Sequence, residues 1–469
     1  MPMQLNFRKG LKLNIEGAVP GDAKLTDVPV RLCAVAPSDY PGFVPKPAVK
    51  EGDTVGCGSP LLYDKIHPEV NLVSPLAGTV RAIVRGERRR ILRVEVEAGA
   101  GADAPSFAMP KDRKSALGFL SQAGLLALMR QRPYDIVPNP ADAVRDVFVS
   151  ALDYAPLAAD SATTGSGVFT KADFEAGVAV LRLVTDGKVY VATSAQWPHG
   201  ALKGAEMLEV NGRYPASNVS VQIEAVAPVN KGDIVWTLDG MTLARIGRTA
   251  QSGHFCGDTV VALAGPEVAA PSLLRTVVGA DIRPLLEGRL KDTGRHLRII
   301  SGNVLTGTAV DPKTDDAFIR FPYRQITVID EGDDVAEFMG WASLAPSKMS
   351  ESRSFPGHFL SRLFRPDARL HGGRHDYERP VRRSAADGHH DRVSGQGHPV
   401  AQHRGHGETR HLRNRSRGLR RSRIRRHIQA APAADSARRT RLSPQGTGMI
   451  FRHINRLYNN KPTFPASTV

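Results

Sequence analysis

No stretch of this 469-residue chain reaches the ~18 consecutive apolar residues of a membrane-spanning helix, and the N-terminus has no apolar signal-peptide core. A soluble or at most peripheral protein is expected. Cysteine is scarce: Cys33, Cys57 and Cys256 form no C-x-x-C pair, so neither an iron–sulfur cluster nor a structural zinc site finds its ligand spacing. There is no G-x-G-x-x-G after a strand pattern and no Walker loop, which removes the usual sequence basis for autonomous nucleotide binding. Lysine is missing altogether between Lys348 and Lys461.

What is abundant is arginine, and its location decides its meaning. The chain carries a formal charge of +16, yet residues 371–469 hold 21 Arg and Lys against 6 Asp and Glu, a net of +15. The first 370 residues are nearly neutral, at +1, and long enough for two or three domains with proper cores. Ten of the 15 histidines also fall after residue 370. Such a tail suits an arginine-rich nucleic-acid-binding segment, but between Tyr377 and Phe451 it lacks aromatic residues among its arginines, which weakens stacking on bases.

A shifted reading frame accounts for the same composition. Residues 375–399, HDYERPVRRSAADGHHDRVSGQGHP, can be back-translated with permitted codons whose one-base shift reads MIMSGRYDGVLPMDIMTEYLVKAI. That string has both charges, few arginines and the apolar rhythm of a folded segment. A frameshift near Arg374 is therefore expected. The arginine-rich, apolar-poor tail cannot bury enough surface to fold, so disorder is expected from about residue 375.

Residues 49–80, VKEGDTVGCGSPLLYDKIHPEVNLVSPLAGTV, read as two β segments closed by turns at Gly52-Asp53 and Ala77-Gly78 around an extended tip. The layout resembles the barrel-sandwich hybrid of biotinyl and lipoyl domains, whose tip carries a modified lysine. Here the tip offers only Lys65, without the Glu-Ala-Met-Lys-Met pattern, and Lys65 reads as an ordinary surface lysine. Ser74-Pro75 with Gly78, and Gly52 with Asp53, read as the turns that set the barrel's register. A carrier fold with no cargo suggests a docking module.

An alanine- and glycine-rich linker leads to a helical pattern over residues 115–130, closed by an Arg132-Pro133-Tyr134-Asp135 turn. Apolar strands are predicted at residues 147–151, 178–184 and 189–192, with a helical stretch from Lys171 and a β-rich segment over 219–246. Residues 259–306 read as strand, turn, strand, a short helix at 281–290 and strand, which suits a β-grasp-like module. The predicted class is mixed α/β and multidomain: a barrel-sandwich-hybrid-like module over 1–105, a Rossmann-like α/β domain over 106–257, a β-grasp (SLBB-like) domain over 258–335, the start of a C-terminal helical part over 336–374 and the aberrant tail over 375–469.

Seven runs in order then carry a family resemblance: KGLKLNIEG (9–17), RPYDIVPNPADAVRDVFVSALDYAPLAAD (132–160), NGRYPASNVSVQI (211–223), Val235-Trp236, GPEVAAPSLLRTVVGADI (265–282), RIISGNVLTG (298–307) and QITVIDEGDDVAEFMGW (325–341). From about Lys9 to Gly373 the chain resembles the NqrA family, which supplies one component of the Na+-translocating NADH:quinone reductase. The shifted-frame string resembles the continuation of that family. The resemblance implies a peripheral subunit on the cytoplasmic face of the bacterial inner membrane, docked on the other subunits and associated with quinone. It implies no firmly bound cofactor in this chain, FMN and iron–sulfur centres in the partner subunits, and no nucleic-acid partner. More distant cousins, the flavoprotein subunit of complex I and its counterpart in the Rnf complex, keep an FMN-binding alternative open.

Quinone sites combine an apolar slot with one or two donors to the carbonyl oxygens, which makes Tyr63, His67 and Tyr154 chemically eligible. Each is equally explained as a surface or packing residue. His254 and Cys256 supply two metal ligands where a zinc site needs more, and no metal site or catalytic residue is assigned. Gly302 and Gly307 around Asn303 read either as a ligand-lining turn or as glycines that a positive φ requires.

Overall fold

The computed structural model describes residues 2–10, 13–159 and 168–332. The helical part expected over 336–374, the disorder expected from residue 375 and the frameshift near Arg374 lie outside the described residues. Strands β1 (Met3–Asn6) and β2 (Leu25–Asp27) precede β3 (Leu32–Val35), β4 (Pro45–Pro47), β5 (Thr54–Val55), β6 (Pro60–Asp64), β7 (Asn71–Val73), β8 (Gly78–Arg85) and β9 (Ile91–Ala98). A four-stranded sheet β3-β9-β8-β5 and a three-stranded sheet β4-β6-β7 form the expected barrel sandwich. Leu61, Leu62, Val80, Val94 and Val96 are buried in one core; Val94 and Val96 share a face of β9 by alternation, whereas the consecutive Leu61 and Leu62 are both buried where the β6–β7 ladder is irregular.

The two turns of this module have different causes. Gly52 has φ +89°, and the Asp53 carboxylate accepts the Lys50 N–H at 2.7 Å, so this is a left-handed turn as expected. Gly78 is not a turn glycine: it opens β8, and a Cβ there would lie 1.9 Å from the Glu97 carbonyl oxygen. Close approach of strands, not a positive φ, demands it.

Next come α1 (Arg113–Gln122), β10 (Arg130–Arg132), β11 (Asp146–Ser150), α2 (Lys171–Val184), β12 (Val189–Thr193), β13 (Glu206–Asn211), α3 (Val219–Val226), β14 (Val235–Asp239) and α4 (Gly240–Ser252). The helix predicted over 115–130 starts earlier, because Asp112 and Ser115 form a capping box, and ends at Gln122. Gly124, at φ +70°, ends the regular run and seats the chain against Val73. The strand predicted at 178–184 is the second half of α2. Phe174, Val178, Leu181 and Val184 are buried at helical spacing, and Thr170 with Asp173 caps the start. The β-rich reading of 219–246 is also corrected, since β14 is its one strand between two helices. The valines of α3 sit in a helix because Ile223, flanked by Val219 and Val226, buries in the cluster with Phe148, Tyr190 and Val235 of the sheet, and packing overrides β propensity.

The sheet runs β1-β13-β12-β11-β14-β10, with β13, β12, β11 and β14 parallel. Both faces are covered, hence the near-continuous burial of β11 and β12. The last module contains β15 (Asp258–Ala264), β16 (Ser272–Val277), α5 (Arg283–Leu286), β17 (Leu297–Ser301), β18 (Thr308–Val310) and β19 (Gln325–Asp330). Its sheet order is β18-β17-β19-β15-β16-β2, with β15 and β19 parallel at the centre, a β-grasp arrangement. Residues before the barrel do not belong to it: β1 pairs with β13 and β2 with β16, so the N-terminal segment adds an edge strand to each of the later sheets.

Candidate functional site

In the α/β sheet the chain order reverses between β11 and β14, and open parallel sheets offer a crevice at the carboxyl ends of such strands. Here that crevice begins at Ser150 and Asp239. Ser150 Oγ donates to the Ser217 carbonyl at 2.8 Å and accepts from Gln222 Nε2 at 3.1 Å. On the other side, Asp239 caps α4, accepting the Thr242 N–H at 2.8 Å, and also accepts from Arg324 of the β-grasp module at 2.8 Å. Burial alone would raise the Asp239 carboxyl, but Arg324, the Thr242 N–H and Arg245 together hold it below the usual carboxylate range. An ionised side chain thus occupies the helix N-terminus where an anionic ligand group would otherwise be favoured.

Above this cap, Asp239, Thr242, Arg245, Phe321, Tyr323 and Arg324 line a cavity of about 20 Å³. That is room for roughly one water and far below the ~300 Å³ of a drug-sized ligand site. Its arginines are committed. Arg245 donates to the carbonyls of Cys256 (2.8 Å) and Asp258 (2.7 Å). Arg320 donates to Asp39 Oδ1 at 2.8 Å and to Ser38 Oγ at 2.7 Å, while the Phe321 N–H reaches Asp39 Oδ2 at 3.1 Å. Arg130 donates to the Asp39 carbonyl at 2.8 Å and lies 5.3 Å from the Phe321 ring, which stacks on Tyr40 at 5.2 Å. Asp39 of the barrel, Arg130 of the α/β domain and Arg320 of the β-grasp module therefore meet at one junction. Burial pushes the Asp39 carboxyl up, and Arg320 opposes it. Burial likewise pushes the Tyr40 hydroxyl up and the Arg130 guanidinium down.

The sequence-derived candidates are distributed elsewhere. Tyr63, half-buried on β6, lies opposite Lys46 and Asn71, and His67 belongs to the turn after it, its carbonyl accepting the Val70 N–H at 2.9 Å. Tyr154 follows β11 in a different module, and its hydroxyl donates to the Val210 carbonyl at 2.7 Å. A quinone oxygen at Tyr154 would have to displace that bond. Lys65 is exposed in the same turn as His67. His254 Nδ1 is 3.1 Å from the Pro105 carbonyl, and among the described residues no group of three or more His, Cys, Asp or Glu could hold a metal ion. Cys57 Sγ donates to the Pro75 carbonyl at 3.3 Å, and burial pushes its thiol up to about 11. Gly302 has φ +106°, and Asn303 Oδ1 accepts the N–H groups of Leu305 and Thr306, so this turn is stabilised by its own side chain. Gly307 is packed instead: a Cβ there would lie 2.4 Å from Ile300 Cγ2.

Sequence reasoning missed Asp39, Asp239 and the Arg320-Phe321-Pro322-Tyr323-Arg324 run. An aspartate at the end of a β-branched run before Gly-Met-Thr was a readable helix cap, and two arginines flanking an aromatic-proline-aromatic core was a readable anomaly.

Comparison with known proteins follows the same three modules. Family models described as "NqrA N-terminal barrel-sandwich hybrid domain", "NqrA second alpha/beta domain" and "NQRA C-terminal domain" match residues 5–99, 111–255 and 260–311. The chain is 35% identical over 379 residues to NqrA of the Na(+)-translocating NADH-quinone reductase of Yersinia pseudotuberculosis serotype I, covering 79% of this chain and 83% of that protein. The protein of the same name from Serratia proteamaculans is 36% identical over 382 residues, with the same coverage. The one from Neisseria meningitidis serogroup B is 35% identical over 383 residues, again covering 79% and 83%. Among solved structures, an NAD+-reducing [NiFe]-hydrogenase aligns with 48% of this chain and 47% of its own at 17% identity and a TM-score of 0.35, too low to bear on function.

Proposed function

The chain belongs to the NqrA family of Na+-translocating NADH-quinone reductase subunits, and from that premise we propose that it serves the quinone end of the complex as a peripheral subunit on the cytoplasmic face of the inner membrane. The observation that carries the reading is the ordered match of all three modules, with 35% identity to a relative over 79% of the chain. No helix among the described residues is long and apolar enough to cross a membrane, which agrees with docking on subunits that do. The filled crevice supports placing NADH oxidation, FMN and iron–sulfur chemistry in partner subunits. A flavin phosphate at the α4 N-terminus would meet the ionised Asp239 in place of free N–H donors.

Partial reactions test this reading. Membranes holding the remaining subunits should oxidise NADH with an artificial electron acceptor whether or not the chain is present, and should reduce quinone only when it is. Quinone reduction without the chain, or loss of both reactions, overturns the reading.

The nucleic-acid alternative rests on residues 371–469 alone. We attribute that segment to a shifted frame. The share of the chain that relatives match, 79%, about equals the part before Arg374. Sequencing the coding DNA over codons 365–400 should reveal a missing or extra base. An intact frame returns the basic tail to the native protein and predicts binding to nucleic acid that weakens steeply with salt.

A further inference from the structure

We propose that the tip of the β8–β9 hairpin, residues 85–92, is a contact site for the anionic phospholipid surface of a membrane. The near-neutral charge of the first 370 residues hides a local concentration: Arg85, Arg88, Arg89 and Arg90 are exposed within six residues, against the one acidic side chain of Glu87. Arginines lower on the hairpin are neutralised. Arg93 pairs with Glu95 at 2.7 Å and lies 3.7 Å from Asp316, and Arg81 lies 3.9 Å from Glu95. At the tip, Arg85 Nη1 donates to the Arg89 carbonyl at 3.3 Å, an arrangement that leaves its charge uncompensated. The sheet end is thus balanced and the tip strongly positive.

Backbone geometry supplies a second, independent observation. Arg88 and Arg89 both stand in the left-handed region, at φ 53° and 59°. They are the two central residues of the turn that the Arg90 N–H closes on the Glu87 carbonyl at 3.2 Å, and turns with two positive φ values favour Asn and Gly there, because a Cβ is penalised at both positions. Two arginines at the turn's least tolerant positions mean that the charge they project outweighs local strain, the pattern found where strain accompanies function. Beside them Leu92 is 43% exposed, its side chain laid against Gly86.

Four exposed arginines on one hairpin tip beside an exposed leucine fit lipid headgroups better than a folded partner. Arginine forks bind phosphate oxygens bidentately, an array of phosphodiesters accepts them in any register, and the leucine can enter the acyl boundary. A specific protein interface needs about 800 Å² from each side, more than an eight-residue tip presents. The inference rests on the peripheral reading above but adds direct lipid contact by this chain.

The test uses the full chain carrying Leu92→Trp as a local probe, so that binding by the basic C-terminal segment does not register. It is read against the parent chain to remove the signal of Trp197, Trp236 and Trp341. Vesicles of phosphatidylglycerol and phosphatidylethanolamine should blue-shift the probe, and brominated acyl chains should quench it. Phosphatidylcholine vesicles should do neither, and ~0.5 M salt should abolish both effects. Adding Arg85→Ser, Arg88→Asn, Arg89→Gly and Arg90→Ser, which gives the turn its preferred residues, should weaken the response at least ~30-fold. A probe that stays silent on anionic vesicles, or responds equally in the substituted chain, overturns the proposal. Because no other component of the complex is present, either result leaves the quinone-side reading to its own partial-reaction test.

Discussion

Arg320→Ala is expected to destabilise the folded chain by about 3–5 kcal/mol, a factor of roughly 10² to 5 × 10³ in the folding constant, because it strands the mostly buried Asp39 carboxylate. The guanidinium provides two contacts to Asp39 and one to Ser38, and only the Phe321 N–H at 3.1 Å and the long Ser38 hydroxyl contact at 3.4 Å would remain on the carboxylate. Burial already pushes the Asp39 carboxyl up and Arg320 opposes that shift. Without Arg320 its folded pKa should stand further above the unfolded value of ~3.9. A group raised on folding contributes stability below its unfolded pKa and loses it as pH rises through the folded one. The deficit of the variant should therefore be larger at pH 7 than at pH 4. Urea midpoints at the two pH values measure this. The exposed pair Lys188–Glu206, at 3.4 Å with side chains 58% and 57% exposed, is the contrast: Lys188→Ala should cost under ~1 kcal/mol. Equal losses at the two sites would remove the junction's role in holding the three modules together.

Gly247→Val should be at least as damaging. Helices α2 and α4 touch backbone to backbone: a Cβ at Gly247 would lie 1.8 Å from the Asp173 carbonyl oxygen and 2.6 Å from the Gly177 nitrogen, and one at Gly177 would lie 2.2 Å from the Leu243 carbonyl oxygen. Neither obstacle is a flexible side chain, so the helices must separate. That separation would also pull Arg248 from Asp173, now 2.6 Å apart. Overpacking of this kind typically costs about 1–3 kcal/mol, and a backbone obstacle puts the loss at or above the upper end, about 3 kcal/mol or more. Gly118 in α1 has open space where a Cβ would go, so Gly118→Ala should stabilise by up to ~1 kcal/mol through helix propensity. Opposite signs at two helical glycines, read from thermal midpoints, are the expected result. A neutral Gly247→Val would mean that the helices are not packed this closely.

The β6–β7 hairpin of the barrel and the β15–β16 hairpin of the β-grasp module were legible because each joins strands adjacent in sequence through turn residues. The β15–β16 ladder and α5 lie where alternation and the 281–290 pattern put them. The α/β domain was harder. Its strands are buried on both faces, so β11 and the second half of α2 are both valine-rich runs, and apolar content alone does not separate period 2 from period 3.6. Strands β1 and β2 were unreadable, since Met3 pairs with Leu208 and Leu25 with Leu273, and nothing local records such partners. The same distance hid the junction: Asp39 and Arg320 are 281 residues apart. Tyr63, His67 and Tyr154 were chosen for donor chemistry, which says nothing about place. The structure puts Tyr154 in another module from the first two and engages its hydroxyl with Val210. The resemblance of seven ordered runs reached further than any of these, because it summed weak local signals over the chain.

Membership of a quinone-reducing complex is read most directly by affinity isolation of the tagged chain from detergent-solubilised membranes of cells that also make the remaining subunits, with the NqrA of a relative isolated in parallel. Both should bring down the other subunits, and both eluates should reduce quinone with NADH in a Na+-stimulated reaction. A chain that elutes alone while the relative brings its complex would contradict that membership.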